Sequence, residues 1–250
     1  MTLNGKHALV TGGGTGIGFA IAQMLVERGA HVTITGRRQS VLDEVATVGM
    51  TPMAMDVRDE DDVVGKIATA VAARGPIQIC VPNAGLATGK AAHKTDMTFW
   101  RDMMATNLDG AFLTIRESLK GMRDTDWGRV IAVSSMAGLR GLPGAACYSA
   151  SKHGMIGLIR SLSEEYMGKP YTFNSLCPGY VDTPIVTRNT QSISERAGIS
   201  TDAARDMMVS ANRHNRLITV DEVAAAAAWL VGNDSGSING QSIEIAGGMM

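Results

Sequence analysis

The sequence predicts an α/β fold, a doubly wound parallel sheet of seven strands with helices on both faces. Three observations carry that prediction. Seven short apolar runs, near 7–11, 31–35, 51–55, 77–81, 128–134, 171–177 and 241–245, alternate with amphipathic stretches of helical period. The first run passes straight into a glycine-rich turn and then a helical segment. Residues able to carry chemistry cluster just past the ends of the runs, where a parallel sheet with right-handed crossovers gathers its ligands.

Taken in order, Lys6 to Thr11 read as a buried strand, and Thr11-Gly12-Gly13-Gly14-Thr15-Gly16-Ile17-Gly18 leads into an apolar helical run from Phe19 to Glu27. Glycines at 12, 16 and 18 remove β-carbons that would block a tight turn, so the helix N-terminus can offer unpaired N–H groups to a pyrophosphate. The spacing is Gly-x-x-x-Gly-x-Gly, unlike the commoner Gly-x-Gly-x-x-Gly; a bare flexible turn is the bland alternative. The second run ends at Thr35-Gly36-Arg37-Arg38, the third at Asp56-Val57 and the fourth at Asn83-Ala84-Gly85. A long helix over about 98–120 carries Asn107, and the fifth run ends at Ser134-Ser135. A second long helix, about 147–167, carries Tyr148 and Lys152; the sixth run ends at Pro178-Gly179, with Val181 and Thr183 close behind. The polar stretch 184–215 is long for a structureless loop, and Ala224 to Val231 is a strong helix former that packs as core or as a subunit contact.

A spacing of four residues sets the Tyr148 phenol and the Lys152 ammonium on one helix face, one turn apart. A free tyrosine titrates at about 10, and a cation within a few ångströms favours its phenolate, which predicts a lowered value suited to acid–base work. Ser135, thirteen residues upstream, is placed to hold a carbonyl or alcohol oxygen, with Ser134 as its near rival.

These ordered motifs resemble the short-chain dehydrogenase/reductase family in its compact form, over nearly the whole chain. The departure is Pro82, where that family usually has a second asparagine before Asn83. The resemblance implies one Rossmann-like catalytic domain spanning 1–250, with a substrate lid at about 184–215. It implies catalytic roles for Asn107, Ser135, Tyr148 and Lys152, in which Lys152 also holds the nicotinamide ribose and Asn107 anchors a water. Thr11, Gly12, Gly14, Thr15, Gly16, Ile17 and Gly18 then border the phosphates. Asp56, Val57, Asn83, Ala84 and Gly85 border the adenosine and ribose, and Pro178, Gly179, Val181 and Thr183 the nicotinamide carboxamide. For Asp56-Val57 a helix-capping turn is the alternative. An acid at the end of the second strand would repel a 2′-phosphate, whereas Arg37, then Arg38, would pair with one. NADP(H) is therefore favoured, and NAD(H) is the other possibility.

The segment Met136 to Gly144 borders the expected pocket and is apolar apart from Arg140, which joins Ser135 and Tyr148 as a substrate residue. With Arg188, Arg196, Arg205, Arg213 and Arg216, it could attract an anion such as an acyl-CoA or a carboxylate. The leading expectation is NADPH-dependent reduction of a 3-oxoacyl thioester or related ketone. An NAD-linked dehydrogenase of a cyclic, aromatic or steroid-like alcohol is the alternative, and a catalytically silent nucleotide-binding regulator is the alternative of another class.

With 250 residues and a formal charge of −1, the chain lacks the basic surface of a nucleic-acid binder and any apolar run long enough for a membrane span. Met1 to Lys6 lacks the apolar stretch of a secretory signal, so the expected location is cytoplasmic. Cys80, Cys147 and Cys177 suit reduced, buried thiols, and five scattered histidines give no metal site. The resemblance further implies a homotetramer or homodimer, and leaves open whether the Gly-Gly-Met-Met end reaches a neighbour or folds over its own pocket.

Overall fold

Strands β1 (His7–Thr11), β5 (Gly128–Val133) and β6 (Tyr171–Pro178) are buried along their whole length, as expected where helices cover both faces of a parallel sheet. The computed structural model describes residues 2–248. With β2 (His31–Gly36), β3 (Met50–Ala54), β4 (Ile77–Val81) and β7 (Ser242–Ile245) they form one seven-stranded sheet in the order β3-β2-β1-β4-β5-β6-β7, every pairing parallel. The order reverses between β1 and β4, so the crevice beyond their carboxyl ends is the natural ligand position.

One face of the sheet packs Ile21 and Leu25 of α1 (Gly16–Glu27) against Val223, Ala227 and Leu230 of α9 (Val220–Leu230). A reciprocal Thr219–Glu222 capping box starts α9. The other face packs α3 (Glu60–Arg74), α5 (Gly110–Met122) and α6 (Ala146–Glu165) through Val63, Ile67, Ile115, Leu119, Met155 and Ile159. The short α2 (Gln39–Val45) covers the β2–β3 edge.

Two segments refine the sequence reading. The helix expected over 98–120 is α4 (Met97–Met104) and α5 joined by a five-residue π-helical turn, Ala105–Asp109. The widened turn seats Asn107 in a set of side-chain bonds described below, which offset the irregular backbone. The polar stretch after Thr183 is not a loop but α7 (Pro184–Ala197) and α8 (Thr201–Ala211), packed together. They are joined across Gly198, whose left-handed φ of 66° suits glycine. The expectation for the last two methionines falls outside the described residues.

Candidate active site

The glycine turn is fastened from behind by the end of β4. Asn83 N and Ala84 N both donate to Thr11 Oγ1 at 3.0 Å, and Asn83 Nδ2 donates to Thr11 O at 2.8 Å and Gly12 O at 3.3 Å. Asn83, expected beside the adenosine, thus uses its amide to shape the loop. A β-carbon at Gly18 would collide with that amide and with the Gly12 carbonyl, and Gly12 and Gly16 hold left-handed φ of 64° and 54°. Thr15 precedes α1 without a side-chain cap bond, so the first-turn N–H groups lack a side-chain partner. Such a cradle fits a dinucleotide pyrophosphate. Across it, a β-carbon on Gly16 would lie 3.1 Å from Thr183 Cγ2, so the glycine turn meets the head of α7. There a cleft of about 530 Å³ is lined by Asp182, Thr183, Pro184, Thr187 and Arg188.

At the opposite end Arg37 and Arg38 stand exposed after β2. Asp56 is gripped by Arg58 through bonds of 2.7–3.1 Å, and this contact, with a smaller pull from Arg37, holds its carboxyl below the usual range. Asp56 does not cap α3; Asp59 does, accepting from Asp62 N at 3.1 Å.

Ser135, Tyr148, Lys152 and Asn107 converge at the ends of β4 and β5. Ser135 leaves β5 almost buried, its Oγ accepting from Ala137 N at 3.1 Å, and its hydroxyl stands beside the Tyr148 phenol. Lys152, 4 % exposed, donates from Nζ to Val133 O at 2.8 Å and lies 6.0 Å from the Tyr148 ring centre. Asn107 accepts from Leu86 N at 2.7 Å and donates to Leu86 O at 2.9 Å and Ser151 Oγ at 3.0 Å. A β-carbon on Gly85 would stand 3.2 Å from Asn107 Oδ1 and 3.7 Å from Lys152 Nζ, which closes the cluster. Ser134 is turned away and braces the helix, donating to Lys152 O at 3.2 Å.

The electrostatics correct one expectation. Burial pushes the Tyr148 phenol up, opposed by the Ser135 hydrogen bond, and it brings the Lys152 ammonium down to about 8. The ammonium is committed to the Val133 carbonyl rather than to the phenol oxygen, so it does not draw the tyrosine toward neutrality. Both groups shift toward their uncharged forms. Cys177, in the same enclosure, is pushed by burial up to about 11 and is an inert thiol.

Residues 6–194 match the family model described as short chain dehydrogenase. The chain belongs to the short-chain dehydrogenase family. The 3-oxoacyl-acyl-carrier-protein reductase of Vibrio cholerae is 33% identical over 253 residues, covering 100% of this chain and 99% of that protein. A D-beta-hydroxybutyrate dehydrogenase of Rhizobium meliloti is 31% identical over 252 residues, covering 97% and 98%. A variant of actinorhodin polyketide ketoreductase, solved with NADPH, superposes with a TM-score of 0.93 at 31% identity, covering 97% of this chain and 96% of that one.

In this dehydrogenase the Pro178 to Thr183 segment, expected beside the nicotinamide, is held by contacts that the sequence reading missed. Asn212, fully buried, accepts from Tyr180 N at 2.9 Å and donates to Tyr180 O at 2.9 Å and Arg216 O at 2.7 Å. A β-carbon at Gly179 would overlap its Oδ1. Gly179 N donates to Ile245 O at 2.9 Å, Pro178 pairs with Ile245, Val181 bridges to Ile218, and Thr183 Oγ1 donates to Val181 O at 3.2 Å. Arg216, expected among the anion-attracting cations, is paired with Glu222 at 2.6 Å. No local signal marks the bond of Asn212 to Tyr180 or of Ser151 to Asn107, which join residues 32 and 44 apart in sequence. Arg58 was open to detection, as a cation two residues from Asp56.

Proposed function

We propose that this dehydrogenase reduces a 3-oxoacyl thioester or a closely related ketone, with NADPH bound along the glycine turn. The single observation that carries the reading is the half-buried Tyr148 phenol beside Ser135, in a cluster that Gly85 joins to the Asn83 fastening of the glycine turn. NADPH supplies a hydride to the carbonyl carbon. Tyr148 gives its proton to the carbonyl oxygen, which Ser135 holds in place. A phenol whose shift is upward keeps its proton at neutral pH, the form that the reduction direction uses. Lys152, brought down by burial to about 8, is the charged neighbour one helical turn from Tyr148, and Asn107 fixes the Leu86 loop beside it. Arg37 and Arg38 favour the 2′-phosphate of NADPH. The names of the similar reductases and of the NADPH-bound ketoreductase support the same reading. Assembly as a homotetramer through α5 and α6 belongs to it, with Phe112 exposed on α5, as does a cytoplasmic location; among the described residues no helix is long and apolar enough to cross a membrane.

The test is NADPH and NADH oxidation with a panel of 3-oxoacyl thioesters, ketones and cyclic alcohols, on the wild type and Tyr148→Phe. Turnover should fall by about 10³-fold in the variant while NADPH affinity stays within about threefold. Near-normal turnover would reject the acid, and a tenfold or larger preference for NADH would reject the cofactor.

A further inference from the structure

Near the cleft Lys152 is tied to Val133, Arg58 to Asp56 and Arg216 to Glu222, whereas Arg140 and the exposed Arg188 enter none of the ion pairs among the described residues, and of these two it is Arg140 that has a buried guanidinium nitrogen. Its Nε is shut off from water and has no hydrogen-bond acceptor, and none of the ion pairs among the described residues includes it. A buried N–H without an acceptor is costly, and the half-exposed guanidinium that carries it is open to an acceptor from outside the chain. The short turn Met136–Gly138 carries Arg140 five residues past Ser135, and Arg140 N donates to Met136 O at 3.1 Å, which fixes its start. Nearby is Tyr180, whose backbone N–H and C=O are both held by the buried Asn212. The Arg140 charge is near enough to favour the Tyr180 phenolate, and Tyr180 is near enough to Tyr148 to disfavour its ionisation. Tyr180 thus lies within electrostatic reach of both Arg140 and Tyr148.

We propose that Arg140, flanked by Tyr180, receives a carboxylate carried by the ketone itself, so that the substrate is a small 3-oxo acid. The guanidinium fork matches a carboxylate in two-point contact. A carrier thioester fits less well, because its nearest phosphate lies a whole pantetheine arm from the reacting carbonyl. The inference rests on the proposed ketone reduction and narrows its substrate class.

The experiment compares three forms of one ketone with NADPH: the free 3-oxo carboxylate, its methyl ester and its coenzyme A thioester. Wild type, Arg140→Gln and Arg140→Lys are assayed, and calorimetry follows a saturated carboxylate of the same length binding to each NADPH-loaded protein. In Arg140→Gln the ratio of kcat/KM for acid over ester should fall about 30-fold or more, through KM, with partial recovery in Arg140→Lys. Carboxylate affinity should fall in parallel, with melting temperature and NADPH affinity retained. A ratio that moves less than about threefold overturns the inference, and so does a loss confined to the thioester, which would assign Arg140 to carrier phosphates. If the wild type reduces none of the three forms, the reductase reading fails, and calorimetry still decides. Carboxylate binding that depends on Arg140 sustains the inference; binding that does not, or none, overturns it.

Discussion

At the scale of single residues, the enclosure that holds Tyr148 and Lys152 acts on both through desolvation, and its opposite effects on a phenol and an ammonium set the chemistry. Lys152 has an ordinary value of 10.5 and is brought down to about 8, so over that window the unfolded chain binds a proton that the folded one releases. Its contribution to stability therefore rises with pH between those values. Urea unfolding of the wild type and of Lys152→Met should show their stability difference growing in favour of the wild type by about 1 kcal/mol per pH unit above 8. The Cys80 thiol, raised to about 12, pushes the other way above pH 9 and cancels in the difference, whereas the Cys177 thiol, raised to about 11, is held down in part by the Lys152 charge, so removing the lysine raises it further and adds to the same trend. Parallel curves across that range would show that the lysine keeps its proton in the fold.

Among elements, the pair α7–α8 buries Val186, Ala204 and Met208 and ends on one buried amide. Asn212 ties Tyr180, in the loop after β6, to Arg216, in the loop before α9. Removing it strands buried backbone donors and acceptors. Asn212→Ala should cost about 2 kcal/mol in chemical denaturation and raise KM for the ketone more than it lowers kcat, since the Tyr180 backbone loosens while Tyr148 and Lys152 stay in place. A loss below about 0.5 kcal/mol would mean that water replaces the amide without penalty. The π-helical turn plays a comparable part for Asn107, which closes on Leu86 and Ser151 in place of a regular helical register.

For the whole molecule, stability rests on two apolar layers that the sheet separates. Phe173, on β6, is fully buried in the layer that faces α5 and α6, with its ring centre 5.4 Å from that of Tyr166. Phe173→Ala should lower unfolding stability by about 3–5 kcal/mol, read as a shift in denaturant midpoint with little change in slope. A cost under about 1 kcal/mol would place that ring outside the core. The catalytic edge lies at the other end of the strands, so the surviving folded fraction should keep its KM.

The seven strands, the glycine turn and the Ser135, Tyr148, Lys152 set were legible in the chain because each rests on local facts. Parallel strands buried on both faces read as continuous apolar runs, glycines announce the close approach of backbone, and a four-residue spacing fixes a shared helix face. Tertiary structure alone decided strand order, the use of Asn83 to fasten the glycine turn, the pairing of Asp56 with Arg58, and the anchoring of Tyr180 by Asn212. It also reversed the expected shift of Tyr148, since desolvation depends on what surrounds a group in space, and most of those surroundings come from distant parts of the chain.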